Sequence, residues 1–176
     1  LRSGGIRPPP MTDFDDFYNR IPKRLIGATF AVSLLFDLIP FPAHLSFWLP
    51  EATALTLLYW ALNRPQSVGI VTAFVCGLLI DIGIAAPLGR HALAYILIVF
   101  FIQKYQRFIV LQSYAFQSVA VLLALAGSHI VLILLHLIAD HRLTGLPGLL
   151  APVVGALAWP MLNKLMLALL HFSRRR

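Results

Sequence analysis

Apolar residues come in runs too long for a water-soluble core, broken only by short polar punctuation. The pattern predicts six helical segments. Segment one covers about 25–41 and breaks where Asp37, Pro40 and Pro42 crowd its far end. Segment two covers about 45–62, with Pro50 and Glu51 in its first turns. Proline is tolerated at a helix start, and a carboxylate there suits the positive end of the helix dipole. Asn63, Arg64 and Pro65 make the next turn, segment three covers about 66–84, and 85–89 form a loop. Segment four, about 90–103, is short for a span. It must take length from Lys104 to Arg107, tilt little, or sit where the bilayer is thinned. Segment five covers about 111–138, a polar turn follows at 140–147, and segment six covers about 149–170. A helix needs about 20 apolar residues to cross about 30 Å of hydrocarbon. The expected fold class is therefore all-α, an integral membrane bundle of six transmembrane helices.

Composition narrows the class further. Mean hydropathy is +0.82, and the chain is 59% hydrophobic and 12% charged, which leaves no room for a separate soluble catalytic domain. A net charge of +7 suggests nucleic acid at first sight. The distribution argues against that partner, because the basic residues sit at the ends of apolar runs, where they set topology. Six spans put both termini on one side. The inner set is then Arg20, Lys23, Arg24, Arg64, Lys104, Arg107 and the arginines at 174, 175 and 176, against only Arg90 and Arg142 outside. That asymmetry predicts both termini in the cytoplasm. The expected organisation is an extension or cloning remnant at 1–10, a cytoplasmic segment at 11–24, the six-helix domain at 25–172 and a basic tail at 173–176. No cleavable signal peptide is expected, since the first apolar run starts only near Leu25. The single Cys76, inside an apolar run, excludes a disulfide framework.

Within lipid, small residues mark close helix approach and ionisable ones mark function or pairing. Segment three carries Gly69, Ala73 and Gly77 at intervals of four, and Asp81 continues that slanted seam. Internal packing is one use of such a seam, and a partner helix is the other; Ala120, Ala124 and Ser128, or Ala151 and Gly155, offer further examples. Asp81 faces two readings: a hydrogen-bond or ion-pair cluster with Arg90 and His91 that fixes the hairpin or docks another helix, or a carboxylate solvated at headgroup level. Asp37 and Glu51 read as interfacial, and Trp48, Tyr59, Trp60 and Trp159 as membrane-interface anchors. His129 and His136 stand a heptad apart, about 10.5 Å along a helix, too far to share one metal ion. His136 and Asp140, four apart, make a weaker pair, and the other histidines (His44, His91, His171) offer no matching depths. Lys164 reads as a snorkelling residue. No Ser-His-Asp set, HExxH or phosphate loop occurs, so no catalytic residue, cofactor or metal is expected. A partner interface is expected instead at Gly69, Ala73, Gly77, Asp81, Arg90 and His91.

Residues 48–93 add a resemblance. Trp48, Pro50 and Glu51 form an entry, followed by a Leu-rich run to Tyr59-Trp60, then Pro65, then Val68-Gly69. Gly77-Leu78-Leu79 with Asp81, and Leu88-Gly89 with His91-Ala92-Leu93, complete the set. This pattern resembles the bacterial rod-shape-determining MreD family, and 156–160 (Ala-Leu-Ala-Trp-Pro) resembles its Gram-negative members. Glu51 stands where that family often has Asp, and Arg90 where it often has an acid, which tells against Asp81–Arg90 pairing as a general device. The resemblance implies a non-enzymatic scaffold of the bacterial inner (cytoplasmic) membrane, acting in cell-shape control during peptidoglycan synthesis. It would bind the bitopic protein MreC, and through it join MreB, RodA and a class B penicillin-binding protein, with membrane lipids around it. The family is similar in topology to the substrate-binding subunits of vitamin transporters. A vitamin-like small-molecule binder, with Asp81, Arg90, His91 and Trp48 around an outer cavity, is thus the alternative. On the scaffold reading, Gly77→Leu is expected to abolish MreC binding while leaving the protein in the membrane.

Overall fold

The computed structural model describes residues 23–42, 48–140 and 146–174. Among them the chain folds into α1 (Lys23–Asp37), α2 (Ala52–Asn63), α3 (Ile70–Gly83), α4 (Arg90–Val110), α5 (Tyr114–Asp140) and α6 (Ala151–Arg174), with a 3-10 turn at Leu146–Leu150. The expected extension at 1–10, the cytoplasmic segment as far as residue 22, His44, Arg142 and the last two arginines lie outside the described residues.

Proline and glycine set most of the breaks. α1 ends three residues before Pro40, its last turn tightening as the Ile39 N–H donates to the Phe36 carbonyl at 3.2 Å. α2 starts only after Pro50 and Glu51, and stops at Pro65, where the Arg64 N–H bonds the Trp60 carbonyl at 2.6 Å. α3 begins after Gly69. Gly89, with φ +97°, turns the chain into α4 in a conformation that side-chain-bearing residues rarely adopt.

Segment four gains its length in the first of the three ways expected, by taking in Lys104 to Arg107. It is not a short span, because α4 continues through Lys104 and Arg107 to Val110, 21 residues in all. The polar residues toward its C-terminal end turn into the bundle instead of ending the helix. The Gln103 amide donates to the carbonyls of Pro65 (3.3 Å) and Val68 (3.0 Å), and the Gln106 amide to Leu62 (2.8 Å). The α2–α3 turn is thereby latched to α4. The short helices are α1, α2 and α3, with 15, 12 and 14 residues.

α2 is the axis of the bundle, packed against α1, α4 and α6, while α4 also holds α3 and α5, and α5 pairs with α6. Every residue from Thr53 to Leu62 is buried. A helix apolar all round belongs in an interior. That position corrects the expectation for three aromatic residues. Tyr59, Trp60 and Trp159 are core side chains rather than interfacial anchors, and only Trp48, 56% exposed, is outward. The Trp60 indole donates to Thr29 Oγ1 at 2.9 Å, and the Tyr59 ring lies 5.2 Å from Trp60 and 6.3 Å from Trp159.

The outside is as apolar as the inside. α4 presents Leu97, Phe100 and Phe101, α5 presents Leu123 and Ile130, and α6 presents Leu157 and Met161. Exposed apolar surface of this extent has no place in water. Three helices, α4, α5 and α6, are long and apolar enough to cross a membrane, and α3 is a shorter apolar helix. Charge is polarised along the bundle. Among the described residues, the acids Asp37, Glu51, Asp81 and Asp140 stand where α1 and α3 end, α2 begins and α5 ends. Lys23, Arg24, Arg64, Lys104, Arg107, Lys164 and Arg174 stand toward the opposite, basic end, and Arg90 is the one described Lys or Arg at the acidic end.

Candidate functional site

The acidic end holds a hydrogen-bonded polar cluster built from four helices. Asp81, in the last turn of α3, is 0% exposed. One carboxylate oxygen accepts the Gly89 N–H at 2.8 Å. The other meets the His91 N–H at 3.1 Å and its ring Nδ1 at 2.7 Å. The local chain makes this possible, because Gly89 turns the backbone so that its own N–H, two residues ahead of His91, points back at α3. Of the two readings of Asp81, the structure holds the buried cluster, and the side chain that closes the hairpin is His91.

Beyond His91 the network reaches α2. The far ring nitrogen, Nε2, lies 3.9 Å from Glu51 Oε1, and the Tyr95 hydroxyl donates to Glu51 Oε2 at 2.8 Å. His91 and Tyr95 are four apart on α4 and so share a face. Glu51 precedes α2 but does not cap it; its carboxylate points toward α4. The cap comes from another helix. Asp37, at the end of α1, accepts the Ala52 N–H at 2.8 Å and the Thr53 N–H at 2.7 Å. Asp37 and Glu51 thus belong to the cluster and are not merely interfacial. Asp37→Ala is expected to lower stability by about 1–2 kcal/mol, the usual cost of losing an N-cap. Thermal unfolding in detergent checks this, and an unchanged melting temperature would show that α2 needs no such cap.

Next to the cluster lies a cavity of about 200 Å³, with Asp37, Glu51, His91 and Tyr95 on its polar side and Phe36 and Phe41 among its apolar walls. On the other side of Glu51, toward Ser128, His129 and Pro152, only about 10 Å³ remains, too little for a ligand.

The seam residues of α3 face inward. Ala73, Gly77 and Asp81 are buried, as are Arg90, His91 and Ala92 across from them, and Gly69 is half-buried. A Cβ on Gly77 would overlap the Ala92 backbone and stand 2.6 Å from the His91 carbonyl carbon. The seam therefore serves the α3–α4 contact, which relocates any partner surface away from it. His129 packs against Gly148, and His136 Nδ1 lies 2.8 Å from the Leu132 carbonyl in its own helix. Among the described residues no three His, Cys, Asp or Glu side chains gather as a metal site. Sequence reasoning missed the role of Tyr95 and the capping by Asp37. The available signals were the His91–Tyr95 spacing and an α2 start with no Ser, Thr, Asp or Asn at its cap.

A helical bundle, apolar inside and out and sealed at one end by buried polar groups, defines an integral membrane protein. A family model described as rod shape-determining protein MreD matches residues 18–169, which takes in all of α1 to α5 and most of α6. The chain belongs to that family. A relative from Haemophilus influenzae, Rod shape-determining protein MreD, is 28% identical over 139 residues, 78% of this chain and 85% of the relative. No solved structure matches. The family is one of cell-shape determination, and that is the role in which this chain is placed.

Proposed function

We propose that this chain is a non-enzymatic, multi-pass scaffold of the bacterial inner membrane that serves cell-wall elongation by binding MreC. MreB, RodA and a class B penicillin-binding protein join through that assembly. The observation that carries the reading is the family match across 18–169. In this reading all six helices span, and the basic end, with both termini, faces the cytoplasm, as the excess of Lys and Arg at that end supports.

With the α3 seam used against α4, the contact for MreC falls at the outer rim of the polar cluster. There Trp48, Ile84 and Leu88 are exposed beside buried Asp81 and His91. The cluster's task is to hold that rim rigid, so that a partner helix meets one fixed surface. Single cysteines at Trp48, Ile84 and Leu88, in a background with buried Cys76 replaced by serine, are expected to crosslink to MreC in membranes. A cysteine at Leu111, 86% exposed near the basic end, is expected not to. Crosslinks at Leu111 alone would discard the outer rim as the contact.

The second reading, a small-molecule binder, draws its support from the cavity beside Glu51 and His91. Native mass spectrometry of the purified protein separates the two. A single retained metabolite, lost in Glu51→Gln, would favour the binder; an empty protein that still captures MreC would favour the scaffold.

A further inference from the structure

We infer that the basic end of the bundle, opposite the polar cluster, carries a binding site for the phosphate headgroup of an anionic phospholipid. α1 and α3 touch at the acidic end, where Leu38 lies against Gly83. Toward the basic end a cavity of about 400 Å³ opens between Lys23, Gly27 and Phe30 on α1, the turn at Ser67 and Val68, and Thr72 on α3. Its floor is apolar, since Phe30 and Val68 are buried. Its rim is polar and cationic. Among the described residues, the Lys23 ammonium and the Ser67 and Thr72 hydroxyls have no side-chain hydrogen bond or ion pair within the protein. Gly27 sets the wall back, because a Cβ there would meet nothing within 4 Å.

Three features select the ligand class. Among the described residues, the acids all stand at the other end, and none of them lines this rim. Two hydroxyls and an ammonium match the acceptor oxygens of a phosphate. The apolar floor beneath that rim suits the first methylenes of an acyl chain entering between α1 and α3. A basic pocket between membrane helices is a recognised setting for anionic headgroups. The turn forming one wall is held by Gln103 and Gln106, so the site is preformed by the same latch that lengthens α4.

The test uses the full chain in nanodiscs of phosphatidylcholine doped with phosphatidylglycerol, with bound lipid counted by native mass spectrometry. Phosphatidylglycerol is expected to be retained over phosphatidylcholine. Lys23→Gln is expected to weaken that retention about fivefold, the effect of one basic residue near a lipid surface. Gly27→Leu, which adds bulk at the cavity wall where a Cβ meets nothing within 4 Å, is expected to remove it while leaving the melting temperature in pure phosphatidylcholine unchanged. Lys23 is exposed, so its variant remains informative should Gly27→Leu fold poorly. Equal retention of phosphatidylglycerol in wild type and Lys23→Gln would overturn the site. Equal protection against heat by inorganic phosphate alone would overturn the lipid as its occupant.

Discussion

Replacing Gly77 with leucine is expected to leave little folded protein in the membrane, whatever partner is present. Even alanine at this position is expected to be harmful, because its Cβ would run into the Ala92 backbone rather than the end of a flexible side chain. Overpacking a tight contact costs about 1–3 kcal/mol when side chains can shift. Here the obstacle is the main chain of α4, so α3 must move as a body and the Asp81–His91 bonds open with it. The outcome differs from the one the sequence suggests, in which the leucine spares the fold and removes only MreC binding. Yield after mild detergent extraction and the melting temperature read the effect. Gly127→Ala is the control, since a Cβ there meets nothing within 4 Å. A Gly77→Leu protein that melts like wild type would show that the α3–α4 crossing is looser than described.

Asp81→Ala is the second large effect. Removing this carboxylate, itself 0% exposed, leaves two backbone N–H groups and the His91 ring without their acceptor. Leaving a buried hydrogen-bond donor unsatisfied costs about 1–3 kcal/mol, and more than one donor loses its acceptor here. His91→Ala is expected to cost less, because Asp81 keeps its bonds to the Gly89 and His91 N–H groups. The double variant should then lose less than the sum of the single losses, with a coupling of about 1–3 kcal/mol between neighbours that share a network. Thermal unfolding of the four proteins followed by helical circular dichroism measures this. Strict additivity would mean that the aspartate and the imidazole stabilise the hairpin independently.

The breaks between helices were legible because proline and glycine act locally: Pro40, Pro65 and Gly89 terminate or turn the chain through their own backbone chemistry. The charge polarity was legible for a similar reason, since lysine and arginine avoid hydrocarbon wherever they occur in sequence. Burial was not legible. In water, an apolar side chain signals an interior; in lipid it signals either face, so Tyr59, Trp60 and Trp159 read as an interfacial belt when they form the core. The reach of α4 was legible only as one of three options. Gln103 and Gln106 look like the approach to a helix end, yet their amides answer carbonyls of the α2–α3 turn. For the polar cluster, the sequence pointed to Asp81 and to the Arg90–His91 pair beyond the loop. Which of the two closes the hairpin depends on the direction Gly89 gives the backbone. A seam of small residues announces close approach but carries no information about whose backbone arrives.

The bond from Asp37 to the start of α2 bears on how the chain enters the bilayer during synthesis. An α2 released alone would carry the Ala52 and Thr53 N–H groups into hydrocarbon unanswered, at several kcal/mol each. At 12 residues its helical part would also reach only about 18 Å, so the crossing is completed by the chain on either side and depends on its neighbours for cover. Its acceptor sits on α1, so α1 and α2 are favoured to leave the translocon as a pre-paired unit. The later, longer helices can then assemble around that unit as a template.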